Sequence, residues 1–222
     1  MRVGLISDVH GNRIALEAVL ADMPAVDELV CAGDVVGYNP WPAECVDELR
    51  ERDVPTVLGN HDAAVVDGRT VGFNRLAKAG VEHARTQLSD DQLEWLADLP
   101  AERLACDGRL RLVHGHPDDP DRYSRYTYPD EFSPRLLDGE DVLVLGHTHV
   151  QGVRQYADGI VVNPGSVGQP RDGDPRGAYA VVDLERLTVD THRVEYDVEA
   201  VQAAVSAAGL PDRIGRRLAR GA

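Results

Sequence analysis

The sequence predicts an α/β fold organised around a parallel β-sheet. Three observations carry that expectation. Short apolar runs alternate with amphipathic helical stretches in the order βαβαβ over residues 2–58, an order that implies parallel pairing with right-handed crossovers. Clusters rich in Asp, His and Gly follow strand after strand, where open α/β sheets gather their ligand sites. A chain of 222 residues, 43% of them hydrophobic, buries roughly 70–75% of its unfolded surface, enough for a core without crosslinks.

Arg2–Ser7 reads as a buried strand, with Val3, Leu5 and Ile6 among its apolar members. Asn12 then caps a helix whose Leu16, Val19, Leu20 and Met23 share one face, and Pro24 ends it. Asp27–Ala32 is the second strand, Pro42 opens a helix that turns Cys45, Val46 and Leu49 inward, and Val54–Leu58 is a third short strand. Phe73, Leu76, Ala77, Gly80, Val81, Ala84 and Leu88 form an apolar helical stripe, and Ser89 to Gln92 is a capping box for a second helix stopped by Pro100. This pair is expected as a helical hairpin inserted at about 72–99 beside the sheet. Arg103–Ala105 and Leu110–Val113 are joined by the hairpin signal Asp107-Gly108, and Val142–Leu145 and Ile160–Val162 are further strands. Ala178–Asp183 and Thr188–Val194 are expected to close a second sheet. An Ala-rich helix follows near Glu199–Ala208, and the Arg-rich tail from Arg213 is expected to fray. No composition break divides the chain, so a single domain over 1–222 is expected, its C-terminal helix and tail spanning 197–222.

Charge narrows the partners. Lys and Arg total 23 against 38 Asp and Glu, a net charge of −15, and Lys78 is the only lysine. Such a surface repels long nucleic acids, which are bound through basic patches. At molar salt the Debye length falls to about 3 Å and the self-repulsion is screened, so the balance points to a halophilic, salt-rich cytoplasm. The three cysteines, Cys31, Cys45 and Cys106, lack metal-type spacing and fit a reduced cytoplasmic compartment. No apolar run approaches membrane-spanning length, and the opening strand is interrupted by Asp8 too early for a signal peptide.

Five polar clusters each follow a predicted strand: Asp8-Val9-His10, Gly33-Asp34, Gly59-Asn60-His61-Asp62, His114-Gly115-His116 and Gly146-His147-Thr148-His149. In extended loops, residues two apart point the same way, so Asp8 pairs with His10 and His147 with His149. Taken alone, an Asp-x-His or a Gly-Asp is an ordinary loop. Together, Asp8, His10, Asp34, Asn60, His114, His147 and His149 offer three oxygen donors and four imidazoles without a thiolate. That set suits manganese, and also iron, zinc or nickel. Seven donors exceed one site and match two divalent metals roughly 3.5–4 Å apart, sharing a carboxylate and a hydroxide. His83 and His192 are expected in structural or solvated positions, and His116 either supports a ligand or faces substrate.

In order and spacing, these clusters resemble the calcineurin-like metallophosphoesterase superfamily. Gly33-Asp34-Val35-Val36-Gly37-Tyr38 and the run from Asn163 to Arg171 are similar to its small prokaryotic phosphodiesterase branch. The resemblance covers about residues 2–184. It implies a four-layer α/β/β/α sandwich of two mixed β-sheets flanked by helices. It also implies that Asp8, His10, Asp34 and His149 hold one metal, while Asp34, Asn60, His114 and His147 hold the other. His61 is left as the catalytic, non-ligand histidine that protonates the leaving alkoxide or holds a phosphoryl oxygen. Hydrolysis by a metal-bridging hydroxide is implied, with a small phosphodiester as substrate.

The phosphoprotein-phosphatase branch has an Asp-Arg pair where this chain has Gly37 and Tyr38, which argues against phosphoproteins and leaves the orienter of His61 open; Asp62 is nearest in sequence. Arg171 is the candidate second phosphate contact, against a surface ion pair. Arg122–Phe132, with three tyrosines, walls the cleft, makes a homo-oligomer contact or covers the core. A phosphomonoesterase or nucleotide phosphatase with the same site is the nearest alternative. A non-catalytic assembly scaffold is the more distant one, since every ligand position here holds a competent residue.

Overall fold

In the computed structural model, which describes residues 1–121 and 125–222, two mixed sheets lie face to face. The first begins with β1 (Arg2–Ile6) and β2 (Glu28–Cys31), paired in parallel as the opening βαβ pattern requires. The second contains β3 (Glu102–Ala105), β4 (Leu110–Val113), β5 (Val142–Leu145), β6 (Gly152–Gln155) and β7 (Ile160–Asn163), in the order β3-β4-β5-β7-β6. Strands β4, β5 and β7 run parallel, and β3 and β6 are antiparallel edges. The last two strands, β8 (Gly177–Asp183) and β9 (Thr188–Val194), return to the first sheet, where β8 pairs antiparallel with β1. They therefore do not close a second sheet, as the sequence reading expected. The apolar β8, buried along six of its positions, needs a neighbour on both sides, and β1 supplies one.

Side-chain alternation explains the layers. Val3 and Leu5 of β1 and Val142 and Val144 of β5 point between the sheets and form one core cluster with Leu110, Leu112, Ile160 and Val182. Ile6 points the other way, into the helical layer. Leu143 and Leu145 turn outward beneath Phe132 and Leu136, where a 3₁₀ turn (Pro134–Leu136) covers the second sheet.

The helical layer comprises α1 (Arg13–Asp22), α2 (Pro42–Glu51), α3 (Asn60–Asp67), α4 (Arg75–Gln87) and α5 (Asp90–Ala97). Asn12 caps α1 through Ala15 N–H, Pro42 opens α2, and Ser89 with Gln92 forms the capping box of α5. The predicted stripe on α4 is core: Leu76, Ala77, Gly80, Val81 and Ala84 are buried. Both α4 and α5 pack on α3 and α2.

Three further elements depart from the sequence reading. Val54–Leu58 forms a single bridge, Cys31 to Thr56, because Pro55 has no N–H for a ladder. Asn60-His61-Asp62, expected in a loop after a strand, instead opens the helix Asn60–Asp67. The tail does not fray. After α6 (Val198–Ala207), it forms α7 (Arg213–Leu218), whose Ile214 and Leu218 are fully buried against Val201, Val205 and Leu76. No helix among the described residues is long and apolar enough to cross a membrane.

Candidate metal centre

The polar clusters converge where the two sheets meet. Asp8 and His10 follow β1, Asp34 follows β2, Asn60 and His61 open α3, His114 follows β4, and His147 and His149 follow β5. Backbone bonds tie the loops together: Asp8 N–H donates to the Gly33 carbonyl, His10 N–H to that of Asp34 (both 2.9 Å), and Gly146 N–H to that of His114 (3.0 Å). Five of the seven donor residues have left-handed backbone, with φ of 54° at Asp8, 51° at His10, 55° at Asp34, 67° at His147 and 59° at His149. Such a conformation costs a non-glycine residue about 1–3 kcal/mol, and its concentration here marks a site whose geometry outranks local comfort. Close approach also requires Gly59, where a Cβ would lie 2.1 Å from Asp34 Oδ1.

The donors fall into two buried groups that share Asp34. Ligand atoms of Asp8, His10, Asp34 and His149 lie within 4.8 Å of one another, as do those of Asp34, His114 and His147. Asn60 joins the second group, its Oδ1 lying 3.2 Å from His114 Nε2. The atoms facing away are held by fixed partners. Nδ1 of His10, His114 and His149 meets the carbonyls of Val36 (3.1 Å), Ala32 (2.7 Å) and Gln169 (2.6 Å). A carbonyl only accepts, so each Nδ1 carries a proton and, in the neutral ring, Nε2 aims a lone pair inward. The carboxylates repeat the pattern. Asp34 Oδ1 accepts from His61 N–H (2.8 Å), while Asp8 Oδ2 accepts from Ser7 Oγ (2.7 Å) and His147 N–H (3.1 Å). Their other oxygens remain for the centre.

This arrangement is electrostatically incomplete without cations. Nε2 of His10 and of His149 stand 3.1 Å apart, and two lone pairs so placed repel unless positive charge lies beside them. His147 Nε2 is buried without a hydrogen-bond partner among the described residues, and Asp8 Oδ1 faces His149 Nε2 at 3.1 Å. Burial drives His10 well down and His147 to about 3, and with Arg171 it also lowers His149, so these rings are neutral. His114 differs: burial lowers it, but Asp34 and Asp8 outweigh burial and raise it to about 9. A proton there balances charge that a metal would balance. The donors fit divalent ions of the manganese, iron and zinc class.

The remaining sequence candidates divide clearly. His61 belongs to neither donor group. Its ring lies 4.6 Å from Tyr38, 4.8 Å from Phe73 and 4.7 Å from His10, and it lines a cleft of about 90 Å³ with Asp34, His149 and Arg171. Burial, opposed by Asp34, takes it down to about 4. Asp62 does not orient His61. Its carboxylate accepts from Val36 N–H and Gly59 N–H (both 3.0 Å), tying α3 to the Asp34 loop, and burial with Asp34 pushes its pKa up to about 7. The His61 ring is instead positioned by aromatic packing. Arg171 reaches the cleft, its guanidinium bonded to Gln169 Oε1 (2.8 Å) rather than to a surface carboxylate.

His116 lies outside both groups and accepts from Asp118 N–H at 3.2 Å. His83 bonds the Pro40 carbonyl and His192 stacks on Tyr179 at 4.6 Å, both structural. In the tyrosine-rich segment, Tyr123 lies outside the described residues. Tyr126 stacks on His147 at 4.2 Å and walls a second cavity of about 680 Å³, lined also by Asn60, Phe73 and Ala101. Tyr38 and Phe73 were missed as site residues, since each reaches the centre through a contact distant in sequence, whereas Tyr126 lies where the cleft-wall alternative for its segment expected it. The Gly37-Tyr38 pair was the one available signal for Tyr38.

Comparison with known proteins agrees with this geometry. The chain is 37% identical to a metallophosphoesterase from Sphaerobacter thermophilus, whose crystal structure superposes with a TM-score of 0.85 over 100% of this chain and 99% of that one. It is 30% identical to the phosphodiesterase YfcE of Escherichia coli over 85% of this chain and 91% of the relative. A Methanocaldococcus jannaschii protein is 29% identical over 97% of this chain and 96% of its own length. Residues 1–187 match the calcineurin-like phosphoesterase superfamily domain, and with the strand-end cluster of acid, amide and imidazole donors the chain belongs to that superfamily.

Proposed function

We propose that the protein is a dinuclear metal-dependent phosphoesterase that hydrolyses small phosphodiesters, with manganese as its metal. One observation carries the reading: six buried donors form two groups around a shared Asp34, with half-buried Asn60 beside the second, and Asp8, His10, Asp34, His114 and His149 are each aimed inward by a partner on the far side. Asp8, His10, Asp34 and His149 hold the first ion, and Asp34, Asn60, His114 and His147 hold the second. When bound, the two cations supply Lewis-acid charge to the phosphoryl oxygens and make water nucleophilic at neutral pH.

The chain's own residues do the rest. Asp34 fixes the spacing of the two sites through Oδ2, because Oδ1 is committed to His61 N–H. Arg171, held by Gln169 at the cleft, receives a non-bridging phosphoryl oxygen. His61 faces the same cleft and either protonates the leaving oxygen or donates a hydrogen bond to the phosphoryl group. The cavity walled by Tyr126 takes the esterified group, which supports a diester preference. So does the similarity to a phosphodiesterase.

The test is manganese-dependent hydrolysis of bis(p-nitrophenyl) phosphate against p-nitrophenyl phosphate, in the molar salt and cytoplasm-like conditions that the charge balance points to. Preference for the diester is expected. Preference for the monoester makes the protein a phosphatase, and turnover of neither with metal bound makes it a scaffold. Tyr126→Ala should raise KM for the diester between about two- and tenfold, since an aromatic contact is worth roughly 0.5–1.5 kcal/mol. Metal binding measured by calorimetry should be unchanged.

A further inference from the structure

In a chain of net charge −15, arginines gather on one side of the cleft. Arg75 from the first turn of α4, with Arg213, Arg216, Arg217 and Arg220 from α7 and the residues after it, lines a groove of about 840 Å³ that no acidic side chain lines. Arg216 pairs with Asp212 at 3.4 Å and Arg217 Nε donates to Ala222 O at 2.6 Å. Arg75, Arg213 and Arg220 make no ion pair among the described residues. In a chain with 38 acidic residues, these three exposed arginines line one groove with no carboxylate paired to them, which leaves their guanidinium donors available to an anion.

The groove adjoins the metal centre's cleft. Asn74 lines both. Arg171 in the cleft lies 3.4 Å from the Tyr38 hydroxyl, and the Arg217 guanidinium is close enough to Arg171 and Tyr38 for both to perturb it. Tyr38 in turn packs on His61 at 4.6 Å. Positive charge therefore runs from the reacting centre through Arg171 and Arg217 into the groove. The groove is also firmly built, because Ile214 and Leu218 anchor α7 in a buried cluster with Leu76 and Tyr38. Four of its five arginines lie beyond residues 1–187 matched by the superfamily domain.

We propose that this groove binds the distal phosphates of the substrate, which is an ester of an oligophosphate chain. The inference rests on the phosphoesterase reading and narrows its substrate class. The esterified phosphoryl group sits at the metal centre while the rest of the chain runs past Arg171 and Arg217. Water's oxygen bonds to phosphorus as the P–O bond to the ester group breaks; the released oxygen takes up one proton and the phosphate product retains or loses the other to solvent. The forked guanidinium donors match phosphate oxygens in number and geometry.

Two esters that release the same chromophore isolate the effect: p-nitrophenyl thymidine 5′-monophosphate and the γ-p-nitrophenyl ester of thymidine 5′-triphosphate. In the double variant Arg213→Ala/Arg220→Ala, the ratio of kcat/KM for the triphosphate ester to that for the monophosphate ester should fall at least tenfold, through KM. Calorimetric binding of inorganic tripolyphosphate to the metal-free protein, at the same salt, should weaken by a similar factor. An unchanged ratio overturns the proposal, even if tripolyphosphate binding is lost, because the groove would then hold a free anion rather than substrate. If the unmodified protein turns over neither ester, the phosphoesterase reading itself falls and this substrate with it.

Discussion

Asp34→Asn should abolish turnover while leaving the fold intact. Asparagine keeps the oxygen that accepts from His61 N–H at 2.8 Å. It replaces Oδ2 by a donor facing Nε2 of His114 (3.4 Å) and of His10 (3.6 Å), the one carboxylate oxygen that both donor groups share. Losing the bridge removes several kcal/mol of charge stabilisation from the transition state. At about 1.4 kcal/mol per decade, that lowers kcat/KM for a diester at least about a thousandfold. Metal content after dialysis should drop from two manganese ions per chain to one or none, with the unfolding transition still cooperative. A variant that keeps both ions and full activity would remove Asp34 from the bridging position.

The second large effect is expected at His61, with the opposite metal outcome. His61→Ala should lower kcat by about a hundred- to ten-thousandfold, the range for a positioned acid or base, yet retain both metal ions. The basis is geometric. His61 is excluded from both donor groups but lines the cleft over Asp34. Because its Nδ1 has no hydrogen-bond partner among the described residues, Tyr38 and Phe73 hold the ring by packing, at 4.6 and 4.8 Å. A Cβ at Gly37 would come within 2.5 Å of that nitrogen, so glycine there is part of the ring's placement. Metal analysis alongside steady-state kinetics separates the cases. If metal is lost with activity, His61 is a ligand.

Much of this centre was legible in the sequence because it depends on local rules. A strand such as Arg2–Ile6 ends where its apolar run meets Asp8, and a parallel sheet carries such ends to one edge. Asp8, His10, Asp34, Asn60, His114, His147 and His149 all come together there, with His61 and Arg171 at the cleft. What stayed hidden depends on distant partners. Asp62 looks like a neighbour for His61, but its carboxylate is taken by the backbone of Val36 and Gly59. Tyr126 meets His147 only after the chain has made β5. The edge strand β6 carries Arg154 and Gln155, both exposed, and so lacks an apolar run. In α7 the arginines masked Ile214 and Leu218, the two side chains that pin it. Leu143 and Leu145 read as one continuous run with Val142 and Val144, and only the pairing of β5 between β4 and β7 sorts them into two layers.

The most direct test of the central claim is an anomalous-diffraction map from crystals of the manganese-loaded protein. The account predicts two peaks per chain, separated by roughly 3.5–4 Å as in other two-metal sites. One should lie among Asp8, His10, Asp34 and His149, and the other among Asp34, Asn60, His114 and His147. A single peak, or peaks that Asp34 does not join, would contradict it.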